Sequence, residues 1–356
     1  MCAHNCVQLG LPSQNQMPTG GAFARGLTVL FLCMSFVAVP FGLRARADPA
    51  VWKQEGWSKT DFSKSRIAWH EMLSGGPPKD GIPSIDHPLF KAAGEDKELA
   101  ANDPVIGLEI SGDARAYPLR ILIWHEIVND VVGGVPVTVT YCPLCNSAVV
   151  FDRRVPPHVL DFGTTGKLRN SDLVMYDRQT ESWWQQFTGE AIVGALIGTE
   201  LKLVPARLES FAQFKARHPS GKVLVPNHPE LRDYGRNPYV GYDMAAAAFL
   251  YRGDYPKDVE PMARVVVVRP GTGKLGAVTL EHLRKMGRLM LGDVELAWEA
   301  GQSTALDHWD IAQGRDVGTV TASVRGADGQ RRDVPYDVAF AFAVVAFHPD
   351  IVILKE

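Results

Sequence analysis

The sequence predicts an α+β fold rich in short, mostly antiparallel strands, with a few helices. Two observations predict it. Apolar, β-branched runs of strand length recur at short intervals, as in Val105–Ile110, Val135–Tyr141, Ala148–Phe151 and Arg264–Val268. Turn residues punctuate them, as in Ser111-Gly112-Asp113 and Gly133-Gly134. Helical spacing is confined to a few segments, which argues against a parallel doubly wound sheet. The second part of the chain repeats the order of the first, so two related halves are a further expectation.

The chain opens on an expected signal peptide, residues 1–47. Arg25 precedes an apolar run from Leu27 to Val39, and Ala45-Arg46-Ala47 offers a small-x-small cleavage site. The run is shorter than the roughly 20 apolar residues of a membrane span. Export to a periplasmic or extracellular space follows, with no stable span after cleavage; an uncleaved anchor is the alternative. Met1 and Met17 are both candidate starts. Cleavage removes Arg25, Arg44 and Arg46 and no acid, so the net charge moves from −3 to −6. A mildly acidic protein has no general attraction for nucleic acid. Cleavage also removes Cys2, Cys6 and Cys33 and leaves Cys142 and Cys145.

Residues 48–100 read as a polar arm with one helix near Ser63–Leu73, packed on the body by Trp52, Trp57 and Trp69. Residues 101–228 form the half that carries the cysteines. Val105–Ile110 and Ala114–Leu119 read as a hairpin, Arg120–Val132 as a helix stopped by Gly133-Gly134, and Val135–Tyr141 as a strand. On that helix His125 and Asn129 would share one face, and Glu126 and Asp130 another. Gly163–Lys167 lacks phosphate-loop spacing and reads as a hairpin turn. Ser171–Arg178 reads as a strand, Thr180–Gln186 as a short helix or aromatic turn, and Leu208–Arg217 as a helix. Residues 229–260 hold a loop rich in tyrosine, glycine and proline, a length at which loops are often functional. Residues 261–356 read as a degenerate second half, with a helix at Leu280–Met286, Gly301 and Gln302 where the thiols would fall, and a strand at Val338–Phe347.

The chemistry centres on Tyr141-Cys142-Pro143-Leu144-Cys145-Asn146. Two thiols delivered by a strand into a proline turn suit a soft or borderline ion, copper or zinc, and imidazole suits both. His125 is the first candidate for a third ligand, with His348 or Met175 to complete the shell. An exported partner or a metal-delivery partner would follow from that reading. The same C-x-x-C permits thiol–disulfide exchange by Cys142 and Cys145, although the strand-like residues after Cys145 do not fit a thioredoxin fold. It also permits a cysteine nucleophile with His125 as base, or a small disulfide in a binding or structural protein. Asn129 and Asp130 could give polar support. Lys167 and Arg178 could bind an anion near the thiols or form salt-bridged strand ends with Asp177. No nucleotide cofactor is expected.

Trp124-His125-Glu126-Ile127, Asn129-Asp130, Tyr141–Cys145, Gly166-Lys167-Leu168, Ser171–Arg178, Ser182–Gln185 and Ala346–Asp350 together resemble a bacterial family called domain of unknown function 3179. The resemblance runs from about Asp103 to the C-terminus. It implies membership and no activity.

Overall fold

The computed structural model describes residues 48–270 and 273–356. The expected signal peptide, with Met1, Met17 and Cys33, lies outside the described residues. Among the described residues no helix is long and apolar enough to cross a membrane.

The short helix α1 (Pro49–Gln54) starts at Asp48, whose carboxylate accepts the Ala50 amide. Two strands follow, β1 (Met72–Ser74) and β2 (Leu89–Ala92). The helix expected over 63–73 is instead a single 3-10 turn, Trp69–Glu71, running into β1. Its backbone groups are spent elsewhere: Arg66 donates its amide to the Ile192 carbonyl, and Ser65 bridges Val193. The three tryptophans do pack inward. Trp52, Trp57 and Phe62 surround Trp183, with ring centroids 5.1, 5.0 and 5.4 Å away.

The hairpin β3 (Pro104–Ile110) and β4 (Asp113–Pro118) leads into α2 (Leu119–His125). The meander β5 (Ile127–Val132), β6 (Val135–Cys142) and β7 (Ser147–Asp152) comes next. The helix expected over 120–132 therefore ends halfway. Glu126 takes φ +58° and breaks it. Ile127, Val128, Val131 and Val132 are β-branched, a class that loses side-chain freedom in helices. They pair with β6 instead, from Ile127 opposite Thr140 to Val132 opposite Val135. His125 and Asn129 thus share no helix face, nor do Glu126 and Asp130.

Between β7 and its edge partner the chain builds a separate sheet. A ribbon of β8 (Arg154–Val155) and β9 (His158–Val159) precedes β10 (Phe162–Arg169), β11 (Asp172–Asp177), β12 (Trp183–Gln185) and β13 (Glu190–Val193). The last four are antiparallel neighbours in that order, with β1 on the β10 edge. Gly163–Lys167 is not a hairpin turn. It lies within β10, where Gly166 at φ +69° lets the register shift between Thr164 and Lys167. Thr180–Gln186 is not helical either: it ends in β12, buried at every position.

The chain then returns. β14 (Lys202–Val204) pairs with β7, and β15 (Arg207–Ser210) pairs with β3. Ser210 caps α3 (Phe211–Arg217), and β16 (Lys222–Val225) lies parallel to β4. The helix expected from Leu208 starts three residues later, because Leu208–Ser210 complete a sheet edge.

In the C-terminal region, β17 (Arg264–Val268), β18 (Gly276–Thr279), α4 (Leu280–Met286), β19 (Arg288–Leu291), β20 (Val294–Glu299), β21 (Thr319–Arg325), β22 (Arg331–Asp333), β23 (Tyr336–Phe340), α5 (Ala341–Phe347) and β24 (Ile353–Leu354) complete the fold. The strand expected over 338–347 divides into β23 and α5, since an unbroken apolar run does not distinguish a buried strand from a buried helix. Its two sheets have the orders β23-β17-β18-β24 and β19-β20-β21-β22; the earlier ones are β15-β3-β4-β16-β2 and β14-β7-β6-β5. The fold is a strand-rich, largely antiparallel α+β arrangement, with parallel pairing at β4–β16 and β18–β24.

Arg115 ties two strands together, reaching Asp130 at 2.7 Å and Asp113 at 2.6 Å. The Arg115 guanidinium holds Asp113 down from 3.8 to about 2. Asp113 therefore contributes stability that is present above 3.8 and lost as pH falls through about 2. Asp113→Asn should cost about 1 kcal/mol in urea unfolding at pH 7, less than the full shift because solvent screens the pair. The difference from wild type should shrink toward zero by pH 2; an undiminished difference there would refute this linkage.

Candidate metal centre

β6 ends on Cys142, and the chain reverses through Pro143, Leu144, Cys145 and Asn146 into β7. Asn146 makes the reversal possible by taking φ +53°, and its amide bonds the Pro143 carbonyl at 3.2 Å. The turn is held from outside as well. The Cys145 carbonyl accepts the Phe340 amide at 2.9 Å, and Asn146 Nδ2 donates to the Val338 carbonyl at 2.7 Å. Ser147 donates to Asp337 at 2.6 Å. Both sulfurs are free thiols and both residues are buried. The small disulfide entertained from sequence is thus not formed.

The thiols face the tip of the β10–β11 hairpin. Its two central residues, Asn170 at φ +52° and Ser171 at φ +64°, take the left-handed geometry of a tight two-residue reversal. The Ser171 carbonyl points at both sulfurs, 4.0 Å from Cys142 Sγ and 3.5 Å from Cys145 Sγ. Asp172 follows, fully buried, and its carboxylate joins the pair: one ligand atom from each of Cys142, Cys145 and Asp172 lies within 4.8 Å of the others. Gln185 Nε2 at 2.6 Å and the Phe187 amide at 3.0 Å donate to Asp172 Oδ2. Asp172 Oδ1 is buried and receives no nitrogen or oxygen donor, and the Cys142 and Cys145 thiols are the remaining neighbours of the carboxylate.

The electrostatics are one-sided. Burial pushes Asp172 up to about 7, against the hydrogen bonds from Gln185 and Phe187. Burial, then the Asp172 charge, pushes Glu126 up to about 8. Burial raises both thiols, Cys145 well above the usual range. Among the described residues no lysine, arginine or histidine pairs with Asp172 or Glu126. A buried carboxylate without a basic partner favours either protonation or a bound cation.

Cys142 and Cys145 lie together as expected from sequence, and the other residues singled out there lie outside the group. His125 is not in the three-residue group. Its Nδ1–H donates to the Pro83 carbonyl and its Nε2 accepts from the Tyr234 hydroxyl, both at 2.7 Å. Burial lowers its pKa. His348 follows α5 and lies 6.0 Å from the Phe187 ring, bordering a cavity of about 510 Å³ shared with Asp337. Met175 is buried in the apolar core opposite Trp184. Asn129 bonds Asp86 and both backbone groups of Phe162. Asp130 accepts from Arg115 and, at 2.6 Å, from Tyr117. Lys167 pairs with Glu55, and Arg178 with Asp80 and Asp86. Sequence reasoning missed Asp172. A signal existed: Asn170-Ser171 between two apolar runs reads as a two-residue hairpin with Asp172 next to its tip.

Residues 233–258 cover the centre. Tyr242 donates to the Leu144 carbonyl at 3.0 Å and accepts the Phe249 amide at 3.2 Å. Ser171 donates to the Phe249 carbonyl at 2.5 Å. The next residue, Asp243, is anchored in the core by Arg264 at 3.0 Å, Arg315 at 2.8 Å and Thr304 at 2.9 Å.

A strand-rich α+β scaffold enclosing a buried thiol–carboxylate cluster is the class of protein these observations define. The family model described as "Protein of unknown function (DUF3179)" matches residues 79–351, and the chain belongs to that family. Comparison with curated proteins and with solved structures finds no match.

The cover makes a test. Native Cys142 and Cys145 should be alkylated far more slowly than in denaturant. Tyr242→Phe removes two hydrogen bonds worth about 1 kcal/mol each. It should therefore speed alkylation of Cys145, read by peptide mass mapping, by on the order of tenfold, with the melting temperature little changed. An unchanged rate would mean that Tyr242 does not restrain access.

Proposed function

We propose that this protein is exported and binds one zinc or copper ion through Cys142, Cys145 and Asp172, beneath the tyrosine-rich cover. One observation carries the reading. Three donor atoms from two distant segments converge in a buried space, and among the described residues no lysine, arginine or histidine neutralises the Asp172 carboxylate there. A carboxylate beside two sulfurs suits zinc, which accepts both donor types, better than copper(I), which prefers sulfur alone. His125, His348 and Met175, expected as ligands from sequence, are replaced in this reading by Asp172.

Binding or delivery fits the enclosure better than thiol–disulfide exchange does. A catalytic cysteine needs a stabilised, reachable thiolate, whereas these thiols are buried beside acids that raise them. A bound cation supplies the positive charge that would let both deprotonate. The partner is then an exported protein that donates or receives the ion.

We also infer that the scaffold arose by duplication. The order β15-β3-β4-β16 matches β23-β17-β18-β24, and β14-β7-β6-β5 matches β22-β21-β20-β19. The helices α2 and α4 sit at the same step of the two patterns, as do α3 and α5. In this reading the β8–β13 segment is an insertion in the first copy, and it brings Asp172 to the thiols. An experimental structure whose two halves fail to superpose strand for strand would sink the idea.

Elemental analysis of protein purified from the exported fraction, with a free-thiol count, tests the metal reading. About one equivalent of zinc or copper is expected. It should be lost in Cys142→Ser and Cys145→Ser and strongly reduced in Asp172→Asn, while His125→Ala retains it. No metal in the wild type, and none taken up from added zinc or copper(I), would overturn the proposal.

A further inference from the structure

The cavity that His348 borders has a volume of about 510 Å³, within the roughly 300–1,000 Å³ of small-molecule sites. It opens where three parts of the chain meet: the paired strands β7 and β14, the residues between β12 and β13, and the C-terminal elements β17, β23 and α5. Val149, Leu203 and Val267 give it an apolar wall. Phe187 and Phe347 add an aromatic one, stacked with ring centroids 4.9 Å apart and planes 21° from parallel. Covering such a wall is favourable in proportion to the apolar area taken from water.

One acid stands in this lining with room for a partner. Asp337 is half-buried and accepts from the Ser147 hydroxyl at 2.6 Å, the Ala148 amide at 3.0 Å and the Val338 amide at 2.8 Å. All three donors are neutral, and among the described residues no lysine, arginine or histidine forms an ion pair with it. A carboxylate has about four acceptor sites, so Oδ2, which takes only the Ser147 hydroxyl, can accept one donor more. Burial pushes Asp337 up to about 6, against those three hydrogen bonds. The other charged groups of the lining lean the same way. Glu200 has no ion pair among the described residues, and Glu190 is held by Arg66. Arg269 is exposed and donates to the Gly273 carbonyl at 3.5 Å, where water and salt screen its charge. Burial, then the Arg269 charge, holds His348 below its usual value, so its imidazole is neutral near pH 7.

We propose that this cavity binds a small organic cation, an amine on an apolar body, whose ammonium group donates to Asp337. The ammonium supplies the positive charge that Asp337 lacks and fills its open acceptor site with a charge-assisted hydrogen bond. The body lies against Val149, Leu203 and Val267, and the stacked rings of Phe187 and Phe347 favour an aromatic one. An anion of the same shape would meet Asp337 and Glu200 and find only the screened Arg269. Amine binding needs no metal ion at Cys142 and Cys145, although cavity and cysteine turn share a wall: Ser147, which donates to Asp337, leaves that turn, and the Phe187 amide donates to Asp172.

The test titrates the purified full chain at pH 7 with three molecules that share one indole body and differ in charge: tryptamine, tryptophol and indole acetate. Binding is read by calorimetry and by saturation-transfer NMR. Tryptamine should bind, with tryptophol and indole acetate each weaker by about tenfold or more, the worth of one hydrogen bond to a charged group. Asp337→Asn keeps an oxygen for the two amides and lets the Ser147 hydroxyl turn to accept, so it should fold and lose the preference for the amine. Leu203→Trp fills the cavity from an exposed position on β14 and leaves Asp337 in place. It should abolish tryptamine binding with the melting temperature little changed. Absence of tryptamine binding to the wild type, equal binding of all three molecules, or a preference for indole acetate would each overturn the proposal. So would wild-type tryptamine affinity in Leu203→Trp.

Discussion

The structure depends on how the Cys142–Asn146 turn is held. Its carbonyls and side chains are bonded to three segments far apart in sequence: β23 through Phe340 and Val338, the cover through Tyr242, and the β10–β11 hairpin through the Ser171 carbonyl. A five-residue turn has little rigidity of its own. Here each neighbour removes part of its freedom, and the sulfurs are directed inward toward Asp172. Without those bonds the thiols would sit on an exposed loop and behave as ordinary surface cysteines.

The same contacts explain why a protein of this size encloses so small a site. The C-terminal region supplies no donor atom to the cluster of Cys142, Cys145 and Asp172. It supplies walls and anchors instead, in Asp337 against Ser147 and Ala148 and in Arg264 and Arg315 against Asp243. Asp243 has no exposed side-chain surface, and losing it would leave the buried Arg264 guanidinium without its carboxylate. The cover is thus fastened by a buried ion pair at one end and by hydrogen bonds over the thiols.

Much of the fold was legible in the sequence because strands announce themselves by β-branched runs and turns by glycine, proline and asparagine. β3, β6, β7 and β11 lie where those signals put them. Three of the errors fall at Glu126, Ser210 and Phe340, where a helix adjoins a strand with no glycine or proline between them, so the two read as one element. The thiols were legible because C-x-x-C is a local pattern. Asp172 was not, since it reaches the thiols only through tertiary pairing. Lys167 and Arg178 carry visible charge, but Glu55, Asp80 and Asp86 neutralise it from the N-terminal arm, a pairing that spacing cannot reveal.

The anchoring of Asp243 has a consequence for time rather than for affinity. Because Tyr242 and Asp243 are adjacent, the hydroxyl that closes over Leu144 hangs from a residue pinned in the core. Lifting the cover at that end would expose a buried charge pair, whereas the Phe249 end is held by hydrogen bonds from Ser171 and to Tyr242. How fast anything reaches the sulfurs is then set by the stiffness of a few residues between Asp243 and Phe249, while how tightly it stays is set by the donors beneath. The two quantities can be tuned separately, because the residues that govern access are not the ones that would hold a ligand.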